Sequence, residues 1–180
     1  FMDSQESHIR FLLIGIDSKD YSEVSRVRSD SIMLVDMNPT SVENSIISIP
    51  RDTRTQIEGR NNPEKINNYL EYGGQEWTMK TEKNLSGKEI DQYVLADYGL
   101  VRNYVDLIGG VDLYVPMDMK YSDPVADPPL YIDLKEGEQT LDGDKALQYL
   151  RFRKGYKDAD LGRVKAQQEF MKNLIKQSIR

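Results

Sequence analysis

The residues of this 180-residue chain that invite chemistry are arginines at the ends of predicted elements. Arg28 lies just before a strand, with Asp30 two residues on, and Arg51 follows directly on another strand. Arg151 and Arg153 stand two apart where a helix ends, so an extended backbone points both the same way. Arg163 falls in the first turn of the last helix, Gln167 shares its face one turn on, and Asp160 precedes it by three residues. Element ends are where open α/β sheets place their ligand crevices. If these guanidiniums converge, their mutual repulsion is offset only by a bound polyanion, and guanidinium forks grip phosphate oxygens bidentately. Taken singly, each arginine is more readily explained by an ion pair to Asp30, Asp52, Asp158 or Asp160. The recurrence across four separate segments is what points to an anion.

Two acids are metal candidates. Asp17 closes the first predicted strand and Asp30 opens the second, so neighbouring strands would let them share a hard cation such as Mg²⁺. By spacing alone, a pair of turn-capping aspartates is the more economical reading. Lys65 opens a predicted helix, where the macrodipole opposes a positive charge, so it reads as an anion contact or as a solvated lysine. His8 reads as a surface residue, and Trp77 and the tyrosines as core or cleft wall.

Composition bounds the alternatives. With no cysteine and one histidine, thiol nucleophiles, Cys-ligated metals, His-rich metal sites and a Ser-His-Asp triad are all excluded or implausible. The formal net charge of −6 argues against a domain that coats nucleic acid, and no nucleic-acid partner is expected. The longest apolar run, Phe11 to Ile16, is too short to cross a membrane as a helix. The chain begins Phe1-Met2-Asp3, which reads as a trimmed start, so an anchor ahead of it is allowed for.

The elements that must hold these residues follow from pattern. Phe11–Ile16 reads as a strand buried on both faces, Ser31–Met37 as a second, and Asn44–Pro50 as a third that returns as a hairpin. A helix is predicted from about Lys65 to Tyr72, ended by Gly73-Gly74, and another over Gln75–Leu85. Ile90–Ala96 reads as a strand. Leu100, Val101, Tyr104, Val105, Leu107 and Ile108 form one wide apolar helical face, core by default, or a wall for a long hydrophobic ligand. Val111–Val115 alternates as a strand, and Met117–Leu130 reads as a mobile surface excursion. A short helix opens at Leu141-Asp142-Gly143, and the last helix starts near Asp160 as its N-cap. The interleaving predicts a single α/β domain over residues 1–180, a mixed central β-sheet covered by helices on both faces.

The motifs Leu13-Ile14-Gly15-Ile16-Asp17, Arg28-Ser29-Asp30-Ser31, Ser48-Ile49-Pro50-Arg51-Asp52-Thr53 and Lys65-Ile66-Asn67 occur in this order. They are followed by Gly73-Gly74, Ile108-Gly109-Gly110-Val111-Asp112, Leu141-Asp142-Gly143, Arg151-Phe152-Arg153, Asp160-Leu161-Gly162-Arg163 and Gln167-Gln168. Together they resemble the LytR-CpsA-Psr family from about Phe11 to Phe170, most specifically in the Ile-Pro-Arg-Asp-Thr and Arg-x-Arg segments. The resemblance implies a membrane-anchored enzyme acting outside the cell, mostly in Gram-positive bacteria. Such enzymes move a glycopolymer (wall teichoic acid, capsule or similar) from undecaprenyl pyrophosphate to peptidoglycan through a phosphodiester. By the same resemblance Asp17 and Asp30 hold Mg²⁺, and Arg28, Arg51, Arg151, Arg153 and Arg163 surround the pyrophosphate. Lys65, Asn67, Asp160 and Gln167 complete the site, and a hydrophobic tunnel takes the polyprenyl tail. Two departures stand out: Ala166 where the family often has an arginine, and Thr55, beside Arg54, where some members have another.

The chemistry this predicts is electrostatic phosphoryl transfer, with arginines and Mg²⁺ neutralising the pyrophosphate as a sugar hydroxyl attacks. Asp160 is the candidate base, although flanking arginines would lower its pKa and leave it to orient groups. The rival classes are a hydrolase releasing the polymer and a non-catalytic regulator that binds lipid intermediates.

Overall fold

The computed structural model describes residues 8–16, 28–38, 44–56, 62–90, 92–126, 129–156 and 159–178. The chain divides into two compact units, Phe1–Asp97 and Tyr98–Arg180. Both mix strands with helices, in agreement with the α/β class read from the sequence.

In the first unit, β1 (Ile9–Ile16), β2 (Ser29–Met37), β3 (Asn44–Ile49) and β6 (Gln92–Ala96) form one sheet in the order β3-β2-β1-β6. β2 runs antiparallel to both β1 and β3, while β6 lies parallel to β1, so the sheet is mixed. Period-two alternation turns Leu12, Ile14 and Ile16 to one face, where they meet Ile32 and Leu34 of β2 in a shared core. The opposite side of β1 is only half-buried, so this strand is not covered equally on both faces as its continuous apolar run suggests.

The segment after β3 carries two short strands, β4 (Arg54–Thr55) and β5 (Glu64–Lys65), which pair antiparallel. A 3₁₀ turn over Ile66–Asn68 then leads into helix α1 (Tyr69–Ser86). The two helices expected on either side of Gly73-Gly74 are one element bent at Gly74, whose φ of 66° and ψ of −159° break the helical path. Glycine adopts that conformation without a Cβ clash, which is why the pair of glycines bends the helix rather than ending it. Ile66, Tyr69 and Leu70 are fully buried against the sheet, and Trp77 and Met79 pack on the same cluster.

Asp36, almost fully buried on β2, holds the unit together near the start of β1. It accepts from His8 Nδ1 at 2.7 Å, Arg10 Nε at 3.1 Å and Lys88 Nζ at 2.5 Å. His8 is thus part of a structural cluster rather than a plain surface residue. Burial alone pushes the Asp36 carboxyl up, but the hydrogen bonds from Lys88, His8 and Arg10 outweigh it and hold the group well below the usual carboxylate range. The stability it contributes is present above the ordinary carboxylate pKa and drains as pH falls below it. Asp36→Asn should cost about 2 kcal/mol at pH 7, read by denaturant unfolding, and should flatten the acid limb of stability.

In the second unit, β7 (Val111–Val115) pairs antiparallel with β10 (Gly137–Leu141), and β8 (Met119–Asp123) with β9 (Leu130–Leu134). Helices α2 (Tyr98–Leu107), α3 (Gly143–Arg151) and α4 (Ala159–Ser178) enclose a core of Val111, Leu113, Val115, Met119, Ile132, Leu134, Tyr149 and Phe170. Part of the stretch read as a surface excursion is therefore hairpin: Met119–Asp123 pairs with β9, and Met119 is fully buried. Proline and polar residues between the two strands masked the alternation Met119, Tyr121 and Ile132, Leu134. Of the apolar stripe on α2, Val101, Val105 and Ile108 face the core, whereas Leu100, Tyr104 and Leu107 are exposed.

The contact of α2 with α3 is close because α3 begins with glycine. A Cβ on Gly143 would stand 2.5 Å from the Arg102 carbonyl oxygen, a clash with backbone that cannot move aside. The Gly143 N–H donates to Asp106 Oδ1 at 2.8 Å, and Asp142 caps α3 by accepting from the Lys145 N–H at 2.8 Å. These bonds fix where α3 starts, and hence where its last residue, Arg151, ends up.

Candidate active site

In the first unit, Pro50 ends β3 because it has no N–H for the ladder, and the chain turns at once. The Thr53 N–H donates to the Pro50 carbonyl at 2.9 Å, closing that turn around Arg51 and Asp52. The Ile66 N–H then donates to the Thr53 carbonyl at 2.9 Å, and the Asn67 N–H to the Arg51 carbonyl at 3.3 Å. Arg51-Asp52-Thr53 and Lys65-Ile66-Asn67, separate motifs in the sequence, are thereby sewn into one backbone frame. The Tyr69 hydroxyl tightens it, bonding the carbonyls of Thr55 and Glu64.

The side chains on this frame are paired. Arg51 Nη1 donates to Asp30 Oδ1 at 3.2 Å, with Arg51 Nε 3.9 Å from Asp52 Oδ2. Lys65 Nζ bonds Asp52 Oδ1, and Arg28 Nε donates to Glu71 Oε2 at 3.0 Å. Each named cation has a carboxylate, so the ion-pair reading holds for the first unit as it stands. Lys65 is consequently not the unpaired charge at a helix start that the sequence suggests: it sits on β5, before a 3₁₀ turn, facing Asp52. Asn67 Oδ1 is buried with no hydrogen-bond partner among the described residues. These pairs are half-exposed, so each contributes little to stability and can exchange for another anion.

Asp17 lies outside the described residues, so its expected partnership with Asp30 is not part of this geometry. Among the described residues no group of three or more His, Asp or Glu side chains is placed to hold a metal ion. Asp30 is a half-exposed hard oxygen donor already turned toward Arg51. That chemistry fits Mg²⁺ of the kind bound by one or two carboxylates, with water and substrate phosphate completing its shell.

In the second unit, Arg151 is the last residue of α3, where the helix dipole favours a cation. Phe152 takes extended geometry, φ −67° and ψ 124°, and is buried at 4% exposure, while Arg153 beyond it is exposed. The buried phenyl separates Arg151, half-buried at the helix end, from the exposed Arg153. Phe152 is held edge-on by Tyr156, with ring centroids 5.6 Å apart. Neither Arg151 nor Arg153 makes an ion pair among the described residues. Instead, the Arg151 guanidinium lies 4.8 Å over the ring of Tyr98, and Lys154 Nζ 4.6 Å over that of Tyr121.

Helix α4 starts at Ala159, so Asp160 falls inside its first turn instead of capping it; the Asp160 side chain lies outside the described part. Arg163 is buried on the inner face of α4, with Ala166 and Phe170 at helical spacing along the same face. Ala166, the position where the family often carries an arginine, is core here. Gln167 is half-buried one turn beyond Arg163. Sequence reasoning named the cations and missed their holders: Glu71 is 43 residues from Arg28, and no local pattern links Tyr98 to Arg151.

A family model described as the LytR_cpsA_psr family matches residues 2–180. The polyisoprenyl-teichoic acid–peptidoglycan teichoic acid transferase TagV of Bacillus subtilis is 34% identical over 177 residues, covering 97% of this chain and 44% of that protein. The transferase of the same description named TagU, from Halalkalibacterium halodurans, is 34% identical over 176 residues, covering 97% of this chain and 55% of that protein. The chain therefore spans about half the length of these curated relatives. The crystal structure of B. subtilis TagV superposes with a TM-score of 0.78 at 32% identity, covering 96% of this chain and 65% of that one. The LytR-CPS2A-psr family protein YwtF (TagT) with bound octaprenyl pyrophosphate lipid superposes with a TM-score of 0.73 at 28% identity, covering 99% and 68%.

Proposed function

The chain belongs to the LytR-CpsA-Psr family, and on that premise we propose that it transfers an anionic glycopolymer from undecaprenyl pyrophosphate to peptidoglycan. The polymer class follows the relatives, which are named as teichoic acid transferases. The observation that supports the reading most is the Arg151-Phe152-Arg153 corner, two guanidiniums at the end of α3 that make no ion pair among the described residues. A bound pyrophosphate lipid in a relative of the same fold supports the match between that charge and the donor.

In this reading the acceptor sugar hydroxyl attacks the sugar-bearing phosphorus of the donor. The bridging P–O bond breaks, polyprenyl phosphate leaves with the electron pair, and the hydroxyl proton goes to Asp160 or to solvent. Arg151 and Arg153 stabilise charge that grows on the phosphoryl oxygens, the role preorganised cations fill in phosphoryl transfer. Arg163 and Gln167 on α4, and Arg28, Arg51, Lys65 and Asn67 in the first unit, bind and orient the phosphates and the first sugar. When the pyrophosphate arrives, Arg51 and Lys65 exchange half-exposed carboxylate partners for phosphate oxygens. Asp17 and Asp30 would hold Mg²⁺, which supplies additional neutralisation of the pyrophosphate when bound. In this reading the protein works at the outer face of the membrane. No helix among the described residues is long and apolar enough to cross one.

Incubating the protein with lipid-linked polymer and peptidoglycan should yield a covalent polymer–peptidoglycan adduct. Free phosphate-terminated polymer as the sole product would mean a hydrolase, and no turnover would leave a binding protein. Chelation of divalent cations by EDTA should lower transfer by about 100-fold or more, with Mg²⁺ restoring it. Unchanged turnover in EDTA would remove the metal from the mechanism and leave the arginines.

A further inference from the structure

We infer that Tyr98 is a positioning residue for Arg151, holding the guanidinium by its ring and leaving its charge available to the anionic substrate; the inference rests on the phosphate-binding reading of Arg151. The candidate-site cations are held in two different ways. Arg28, Arg51 and Lys65 are each met by a carboxylate, which orients the cation and cancels its field. Arg151 is met by an aromatic face at 4.8 Å. A ring quadrupole attracts a cation through its face but carries no net charge. It fixes direction without supplying a counter-ion that an incoming phosphate would have to displace.

The scaffold makes this contact reproducible. Tyr98 is the first residue of α2 and Arg151 the last of α3. The two helices are pinned farther along by Gly143 against the Arg102 carbonyl, and by the Gly143 N–H on Asp106 Oδ1. Arg102 adds a contact to Asp144, with Nη1 and Oδ1 3.8 Å apart. With that end fixed, the start of α2 and the end of α3 have one relative placement, and the ring lies under the guanidinium. At the other side of Arg153, Lys154 rests over Tyr121 at 4.6 Å, so the exposed Arg153 is flanked by cations that are both seated on rings.

The test uses a soluble prenyl pyrophosphate, farnesyl pyrophosphate, in titration calorimetry, beside transfer kinetics and thermal melting. Tyr98→Leu should weaken binding of the probe and lower kcat/KM about 10-fold, whereas Tyr98→Phe, which keeps the ring and loses the hydroxyl, should stay within about 2-fold of the parent. In an Arg151→Ala background Tyr98→Leu should add nothing, because the ring has no cation left to hold. If Arg151→Ala abolishes probe binding but Tyr98→Leu leaves it intact, the inference fails and the reading of Arg151 stands. If Arg151→Ala itself has no effect, both fall together. An additive loss in the double variant would show that Tyr98 acts on stability or through another group, and would equally overturn the inference. Should Tyr98→Leu lower the melting temperature, the comparison of Tyr98→Phe with the double variant still decides.

Discussion

Arg153→Ala should lower transfer from the pyrophosphate-linked donor by about 1,000-fold while leaving the melting temperature of the protein unchanged. The size follows from what the residue is placed to do. Arg153 is exposed, follows a buried Phe152, and makes no ion pair among the described residues. Its removal therefore costs the folded state almost nothing, because an exposed side chain without partners carries little stability. In the proposed mechanism the same side chain faces charge on the transferring phosphoryl group in the transition state. Loss of a comparable arginine in other phosphoryl-transfer systems costs about 10³- to 10⁵-fold in rate. Arg153→Lys should recover only part of the loss, since an ammonium gives a point charge but not the bidentate fork. Steady-state kinetics with a lipid-linked donor, together with a melting curve, separates the outcomes. Full activity in Arg153→Ala would remove the arginine corner from the mechanism.

The second large effect concerns stability and comes from Glu82. This residue of α1 is buried at 1% exposure, and its Oε1 has no hydrogen-bond partner among the described residues. Thr78, also buried, stands one turn before it on the same side of the helix. Burial without compensation penalises the charged form, which pushes the Glu82 carboxyl from 4.5 up to about 7. Between those values the folded protein keeps a proton that the unfolded chain has released. Stability therefore falls as pH rises across that window and levels off above about 7, by about 3 kcal/mol in total. Glu82→Gln removes the titration while keeping nearly the same shape. The variant should match the parent near pH 4.5 and exceed it by about 3 kcal/mol at pH 8. Urea unfolding at a series of pH values checks this, and an unchanged slope in the variant would show that Glu82 is not the group responsible. The window is distinct from that of Asp36, whose stabilisation is lost only in stronger acid.

Much of this architecture was legible in the residues themselves, for physical reasons that also explain the misses. β1, β2 and β3 showed because an apolar run bounded by polar loops can pair in few ways, and Pro50 and the segment after Met37 punctuate it. The limits of α3 showed because Asp142 caps its start and the buried Phe152 follows its end, with Arg151 and Arg153 on either side of that phenyl. The bend at Gly74 was misread because two adjacent glycines look the same in sequence whether a helix stops or kinks. The β8–β9 hairpin was misread because its inner residues, Met119, Ile132 and Leu134, are separated by a turn rich in proline and polar residues. What no local pattern reports is long-range pairing. Arg28 with Glu71, Lys88 with Asp36 and Arg151 with Tyr98 are set by register and helix packing, and each decides how a charge in this protein is spent.

In the proposed transfer the sugar-side phosphorus of the donor travels with the polymer into peptidoglycan. A donor carrying ³²P at that phosphorus alone, incubated with the protein and purified peptidoglycan, follows that atom. The label should become covalently bound to peptidoglycan, with unlabelled polyprenyl monophosphate released in equal amount. Label left on the polyprenyl chain, or polymer joined to peptidoglycan without label, would overturn the proposed transfer.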